Sequence, residues 1–364
     1  MNNRHGKKTP QRVLVTGHNG YIGSVMAPYF AQAGHEVVGL DTGYYSPCTL
    51  VRDSGQIAWL RKDIRNIELS DLKGFDAVVH LAALSNDPIG NMNEKWTEEI
   101  NHHSSVRLGE LAKKAGVRRF LFSSSCIMYG MSEASVVTEE SPLDPKTEYA
   151  RSKVKSERAI SELASDGFAP TFLRNGTVYG VSPRMRFDTV FNDLMGAAVT
   201  TGMVTLYSDG KPWRPVVHVQ DVSRAFLAVL EAPITDVWNQ AFNTGANHLN
   251  HQIFELAEIV SETVPGCKFE VLAKPGADQR TYKADFGKFA RVFPDFSFKW
   301  SAKQGARELY DTFKKIGLTY DQFVDKRFTR LKWLQHLLNS GQLDPSLHWQ
   351  QRSAPSAMEG VGND

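Results

Sequence analysis

Apolar and polar positions along the chain fall into alternating blocks of two different periodicities. "RVLVT" (12–16) is a short β-branched run, as a buried strand requires. After "GHNGYIG", the residues Ile22, Met26, Tyr29 and Phe30 recur at helical spacing, and Gly34 suits the C-cap. "EVVGLD" (36–41) predicts a second strand. "DAVVHLAA" (76–83), "RRFLFSS" (118–124) and "APTFLRN" (169–175) predict further buried strands, with helical patterns such as "SVRLGELAKKAG" between them. Such alternation predicts a parallel sheet covered by helices on both faces. Beyond Trp300, Thr319 and Gln322 form a capping-box pattern. Phe323, Phe328, Leu331, Leu334 and Leu338 then make an apolar stripe as far as Gly341. That stripe predicts packing against a second lobe or, more sharply, a contact in a homodimer.

Composition narrows the partners. A chain of 364 residues, 41% apolar and 23% charged, can bury a sizeable core as one large or two smaller domains. A net charge of +2 gives no reason to expect nucleic acid, so the chemistry sought is that of small molecules. The three cysteines, Cys48, Cys126 and Cys267, are odd in number and far apart. They argue against a disulfide framework or a cysteine-based metal site and fit a reducing, cytoplasmic setting. No apolar run approaches the roughly 20 residues of a membrane span. The basic start "MNNRHGKKTP" lacks an apolar core and is expected to be a flexible arm (1–10); "QRSAPSAMEGVGND" (351–364) is expected to be a disordered tail.

Candidate chemistry begins at the first turn. Gly17, Gly20 and Gly23 stand between a strand and a helix, where glycines let the backbone approach a pyrophosphate and the helix N-terminus offers N–H groups. Asp41 ends the next strand, where a carboxylate binds an adenosine ribose and disfavours the 2′-phosphate of NADP; the cofactor expected is NAD. Asp63 and Ile64 in "KDIRN" are candidates for the adenine edge. Tyr149 and Lys153 in "PKTEYARSK" lie at i and i+4 on one helix face. An adjacent ammonium is expected to lower the phenol pKa, making Tyr149 a proton acceptor. Taken alone, each has an ordinary alternative: a turn residue for Asp41, an amphipathic helix for the pair.

In order and spacing, "TGHNGYIG", "GLD", "KDIRN", "HLAA", "FSSSCIMYG", "YARSK", "LRNGTVYG", "RPVVHVQDV" and "DQRTYKAD" resemble the extended short-chain dehydrogenases/reductases that act on nucleotide-sugars. The resemblance runs from about Arg12 to about Trp300. It implies an α/β chain with a Rossmann-type doubly wound parallel sheet, helices on both faces, and a smaller C-terminal substrate-binding lobe. The expected division is 11–180 for the NAD-binding domain, with segments about 215–245 returning to it, and 181–350 mainly for the lobe and C-terminal helices. The resemblance implies cofactor contacts from Gly17, Asn19, Gly20, Tyr21, Ile22, Gly23, Asp41, Asp63, Ile64, Leu81, Ala82, Ala83, Asn101, Ser123, Tyr149 and Lys153. It makes Tyr149 the base, Lys153 its partner, and one serine of "SSSCIMYG" a hydrogen-bond donor to the reacting oxygen.

Family members place that donor four residues before the tyrosine of "Y-G", which selects Ser125. Cys126 and Ile127 then occupy the positions where the similar 4,6-dehydratases carry Asp-Glu. The glutamate of the sugar decarboxylases is missing, and the cysteine of the 3,5-epimerases stands one residue out of register. Cys126 is therefore expected to pack. What remains is the Tyr-Lys-Ser set, which suits a C4 epimerase or, with the same residues, a 4-keto-sugar reductase; a non-catalytic NAD-binding sensor would not need it. The implied substrate is a nucleoside diphosphate sugar. Its expected contacts are Ser85, Asn86 and Asp87 in "ALSNDP", Ser125, Asn175 in "LRNGTVYG", Asn192, and the diphosphate-gripping Arg214 and Arg280. "RMRFDTVFNDLM" departs from the family, with Asn192-Asp193 where many relatives carry paired asparagines.

Overall fold

The computed structural model describes residues 9–52, 55, 57–85, 87–131, 136–272 and 280–350. The expected arm and tail lie largely outside them, as does Asn86.

The five strands expected from the sequence all form. They are β1 (Arg12–Thr16), β2 (Glu36–Asp41), β4 (Ala77–His80), β5 (Arg119–Ser125) and β6 (Ala169–Asn175), with the short β3 (Trp59–Arg61) between the second and third of them. Three more segments, β7 (Thr177–Tyr179), β8 (Met203–Leu206) and β9 (Trp213–His218), precede β10 (Gln240–Thr244), and β11 (Asn250–Gln252) and β12 (Lys268–Val271) follow it. A seven-stranded sheet runs β10-β6-β5-β4-β1-β2-β3, and every adjacent pair in it is parallel. The order reverses between β1 and β4, and at that switch point the strand ends open a crevice.

Alternating side chains of the strands feed two cores. Val13, Val15, Val79 and Leu121 face Met26 and Phe30 of helix Gly23–Gln32 and Phe226 and Leu230 of helix Val219–Glu231. Leu14, Val78, Phe120 and Phe122 face Leu108 of helix Ser104–Lys114 and Ile160 of helix Glu148–Ser161. A third core gathers helices Val190–Thr201, Ile253–Thr263 and Ala302–Ile316 beside two small sheets, β11-β9-β7 and β12-β8. This second lobe overhangs the carboxyl ends of the seven strands and walls the crevice.

The C-terminal stripe departs from the expectation of a single continuous packing face. The capping box Thr319–Gln322 forms, but its helix stops at Phe323. The Asp325 side chain then accepts the Arg327 N–H and starts a 3-10 turn, and a new helix runs Arg330–Asn339. The break divides the stripe. Phe323 and Phe328 join the second lobe, whereas Leu334 and Leu337 join the core beneath the dinucleotide half, with Leu343 and Leu347 behind them. The segment thus bridges both halves. No helix among the described residues is long and apolar enough to cross a membrane.

Candidate active site

The crevice is a cleft of about 730 Å³ at the strand ends. At one end stands the glycine turn. Gly17 has φ +71°, and a Cβ there would stand 2.7 Å from the Ala82 nitrogen. A Cβ at Gly23 would overlap the Gly17 carbonyl oxygen. Only glycine therefore lets β1, the loop after β4 and the first helix close together, with Gly20, Tyr21 and Ile22 lining the cleft. Helix Gly23–Gln32 starts there without a side-chain cap; the N–H groups of Ser24, Val25 and Met26 bond back to Gly20 O and Ile22 O, and the turn residues Gly20–Gly23 face the cleft. The Asp41 carboxylate is fixed on the wall by N–H groups of Asn19 (3.1 Å) and Gly43 (2.8 Å). Asp63, Ile64, Leu81, Ala82 and Ala83 complete this end. A glycine cradle, an uncapped helix start and a fixed carboxylate fit a dinucleotide.

Three residues expected to touch the cofactor, Asn19, Asn101 and Lys153, do not line the cleft. Asn19 spends its amide on Ser46 Oγ (2.8 Å). Asn101 is buried, accepting from Leu84 N (2.8 Å) and donating to Leu84 O (3.0 Å). Asn101 thus braces the backbone of the wall at Leu84, and Asn19 braces the Ser46 side chain.

The three serines of β5 have separate fates. Ser123 Oγ accepts from Asn175 Nδ2 (3.1 Å). Ser124 Oγ donates to the buried Glu157 carboxylate (2.8 Å), which also holds Arg174. Ser125 Oγ accepts the Ile127 N–H (3.3 Å) as cap of the next turn, which leaves its proton for the cleft. Ile127 lines the cleft too, presenting an apolar surface. Cys126 turns the other way. It is fully buried, donates to Arg174 O (3.1 Å), and burial pushes its thiol pKa far above the usual range.

Tyr149 lines the cleft on helix Glu148–Ser161, which Thr147 caps by accepting the Ala150 N–H. Lys153 stands one turn further on, behind that wall. Its ammonium donates to Ser123 O (2.7 Å) and lies 5.7 Å from the centre of the Tyr149 ring and 4.6 Å from that of Phe122. The expected lowering of the phenol pKa by Lys153 is absent. Burial first, and then the Asp87 carboxylate, push Tyr149 up to about 12, with Arg186 opposing. Lys153 is itself desolvated, which lowers it to about 7, so near neutral pH its charge is only partly present.

At the substrate end, Asp87 Oδ2 accepts from Arg280 Nη1 (2.7 Å), while its buried Oδ1 has no partner among the described residues. Asn175 Oδ1 is likewise unpaired there, and Asn175 borders the cleft with Ser85. Arg214 and Arg280 line the cleft together; a guanidinium nitrogen of Arg214 bonds the Arg280 carbonyl. Asn192 departs from the expected substrate contact. It is fully buried, donates to Tyr21 Oη (3.0 Å) and Arg186 O (3.1 Å), and accepts from Gly180 N. Its neighbour Asp193 lines the cleft instead, with a pKa pushed up to about 6 by burial and then by Asp188. Sequence reasoning missed Arg186, Tyr207, Tyr282 and Arg330, which also line it. Arg186 lies in the segment marked as departing from the family and Tyr282 in the motif "DQRTYKAD"; Tyr207 and Arg330 carried no signal.

Known proteins share this architecture. The model of the NAD dependent epimerase/dehydratase family matches residues 13–245. UDP-glucose 4-epimerase of Bacillus subtilis is 26% identical over 82% of this chain and 94% of its own. UDP-glucose 4-epimerase of Mycolicibacterium smegmatis is 30% identical over 59% of this chain and 72% of its own. Among solved structures, MoeE5 in complex with UDP-glucuronic acid and NAD superposes with a TM-score of 0.72 at 28% identity, covering 84% of this chain and 99% of that one. With the glycine cradle, the Asp41 wall and the Ser125–Tyr149 pair in the same cleft, the chain belongs to the NAD dependent epimerase/dehydratase family, and NAD is its cofactor.

Proposed function

We propose that the protein epimerises a nucleoside diphosphate sugar at C4 through a transient 4-keto sugar. One observation carries the reading. Ser124 gives its proton to Glu157, Ser125 keeps its own for the cleft beside Tyr149, and the two positions after Ser125 supply a buried thiol and an apolar Ile127 in place of an acid pair. UDP-glucose 4-epimerases among its relatives support the reaction. The complex of MoeE5 with UDP-glucuronic acid supports a nucleotide-sugar substrate.

In this reading Tyr149, protonated at neutral pH in the NAD-free protein, acts as phenolate once cofactor and substrate are bound, takes the proton of the C4 hydroxyl and later returns it. Ser125 donates a hydrogen bond to the same oxygen, strongest as negative charge builds there. Lys153, 5.7 Å from the centre of the Tyr149 ring, would hold the ribose hydroxyls of the cofactor. NAD, when bound, supplies reversible hydride acceptance. Asp87 Oδ1 and Asn175 Oδ1, both buried and unpaired among the described residues, hold sugar hydroxyls. Arg214 and Arg280 grip the diphosphate, a task suited to planar forks. A 4-keto-sugar reductase would use the same residues once. Asp41 favours the first reading, because reductive biosynthesis often draws on NADPH, whose 2′-phosphate a carboxylate repels.

The test is mass spectrometry of a panel of nucleotide-sugars incubated with the protein in deuterated water. The expected product is an isomer of unchanged mass. Incorporated deuterium means enolisation beside a keto group, mass loss means dehydration or decarboxylation, and a gain of two hydrogens with NADH means reduction. Tyr149→Phe is expected to slow the isomerisation by about 10²–10⁴-fold while NAD stays bound.

A further inference from the structure

We infer that Arg186 and Arg330 hold the diphosphate of the bound dinucleotide, so that the C-terminal helix is part of the cofactor site. The inference rests on NAD being the cofactor and not on which carbon of the sugar is inverted.

Both guanidinium groups line the cleft, and both are more than nine-tenths buried. Arg330 is the first residue of helix Arg330–Asn339. Its Nη2 donates to Arg184 O (2.7 Å) and its fork lies 4.4 Å from the centre of the Tyr45 ring. Its Nη1 is buried without a partner among the described residues. Arg186 donates from Nε to Asp188 (2.6 Å) and from Nη1 to Ser85 Oγ (3.1 Å). Ser85 ends the loop whose Ala82 closes on Gly17, and the Arg186 carbonyl shares the Asn192 amide with Tyr21 of the glycine turn. Asn192 thus ties the Arg186 backbone to Tyr21 of the glycine turn, while the two forks reach into the same cleft, Arg186 toward Ser85 and Arg330 toward Tyr45.

Charge accounting points the same way. Arg186 and Arg330 share the Asp188 carboxylate, which accepts from Arg186 Nε and from the Arg330 backbone N–H. Burial alone would raise the Asp188 pKa, but Arg186, backed by Arg330, holds it below the usual range. Burial and then the like charge of Arg186 press the Arg330 guanidinium down. A buried guanidinium with an open fork is costly unless an anion completes it. The glycine turn supplies N–H groups for such an anion from the opposite side. The substrate end has its own arginine pair in Arg214 and Arg280, which Asp87 anchors through Arg280. One cleft thus carries two arginine pairs, as two diphosphates require.

Equilibrium binding to the full chain tests the assignment, with NAD+, ADP and adenosine as probes and circular dichroism as the check of folding. R186Q and R330Q are each expected to weaken NAD+ and ADP about tenfold or more, the scale of a lost charged hydrogen bond. Adenosine, which lacks the diphosphate, is expected to bind the variants as it binds the wild type. R214Q is expected to weaken UDP and leave ADP unchanged. If R330Q does not fold, R330M, which keeps the stem against Tyr45, carries the same comparison. Folded variants that bind NAD+ and ADP as the wild type does would overturn the inference. So would a loss confined to UDP-glucuronic acid, which would give the pair to an acidic sugar.

Discussion

Ser125 and Cys126 are neighbours in sequence and opposite in setting, because successive side chains of an extended strand point to opposite sides. Ser125→Ala is expected to lower kcat by about 10²-fold, the scale of one lost donor to a developing oxyanion. Cys126→Ala leaves a small packing defect, costing about 1 kcal/mol in urea unfolding with kcat nearly unchanged. A folded, NAD-loaded Cys126→Ala protein without activity would make the thiol an acid/base group and reverse the assignment. Lys153 yields a second prediction. Its folded pKa, about 7, lies below the ordinary 10.5, so between these values the unfolded chain holds a proton that the folded chain lacks. Stability of the NAD-free protein therefore rises with pH across that window, and below it the buried ammonium weighs against the fold. Lys153→Met is expected to flatten that rise and, at pH 6, to stabilise the NAD-free protein by about 0.5–2 kcal/mol while losing activity. Thermal unfolding of both proteins from pH 6 to 10 checks this; an unchanged slope with a lower melting temperature would contradict it. Ser125 could be counted from the motif. The buried pair Glu157–Arg174, which occupies Ser124 and backs Cys126, could not, since its members lie on helix Glu148–Ser161 and on β6 and meet only when that helix packs on the sheet.

At the scale of elements, the glycine turn was legible because strand, glycines and helix are contiguous in sequence. Its demands are steric. A methyl group at Gly23 would meet the backbone of Gly17 and His18, which has no flexible end to move aside. Gly23→Ala is expected to destabilise the protein by about 1–3 kcal/mol and to empty the cofactor site. Urea unfolding and the NAD content of the purified protein measure both; a stable, NAD-loaded variant would show that the turn has slack. The C-terminal helix was legible only in part. Its apolar stripe could be read, but not the break at Asp325 or the change of core, which depend on tertiary contacts. Trp333 Nε1 donates to Tyr44 O (2.7 Å) and Trp349 Nε1 to Thr42 O (2.7 Å), both on the wall beyond Asp41. No local pattern announces a partner about 300 residues away.

At the scale of the whole molecule, the parallel sheet presents NAD at its switch point, and the second lobe closes the cleft from above with Arg214, Asp193 and Tyr207. Sheet order followed from strand–helix alternation and the family resemblance. The lobe's contribution was readable only at positions that match family motifs, since its other lining residues come from separate turns and helix starts. The central claim is that one hydrogen leaves C4 of the sugar and returns to C4 from the other side, with Tyr149 and Ser125 managing only the oxygen. The direct measurement uses a nucleotide-sugar substrate labelled with deuterium at C4, in ordinary water, with the product examined by NMR and mass spectrometry. Turnover is predicted to invert C4 with the deuterium still on that carbon, and with a slower rate than the unlabelled sugar if hydride transfer limits. Deuterium lost to solvent, or kept on an unchanged C4 while a neighbouring carbon inverts, would contradict it.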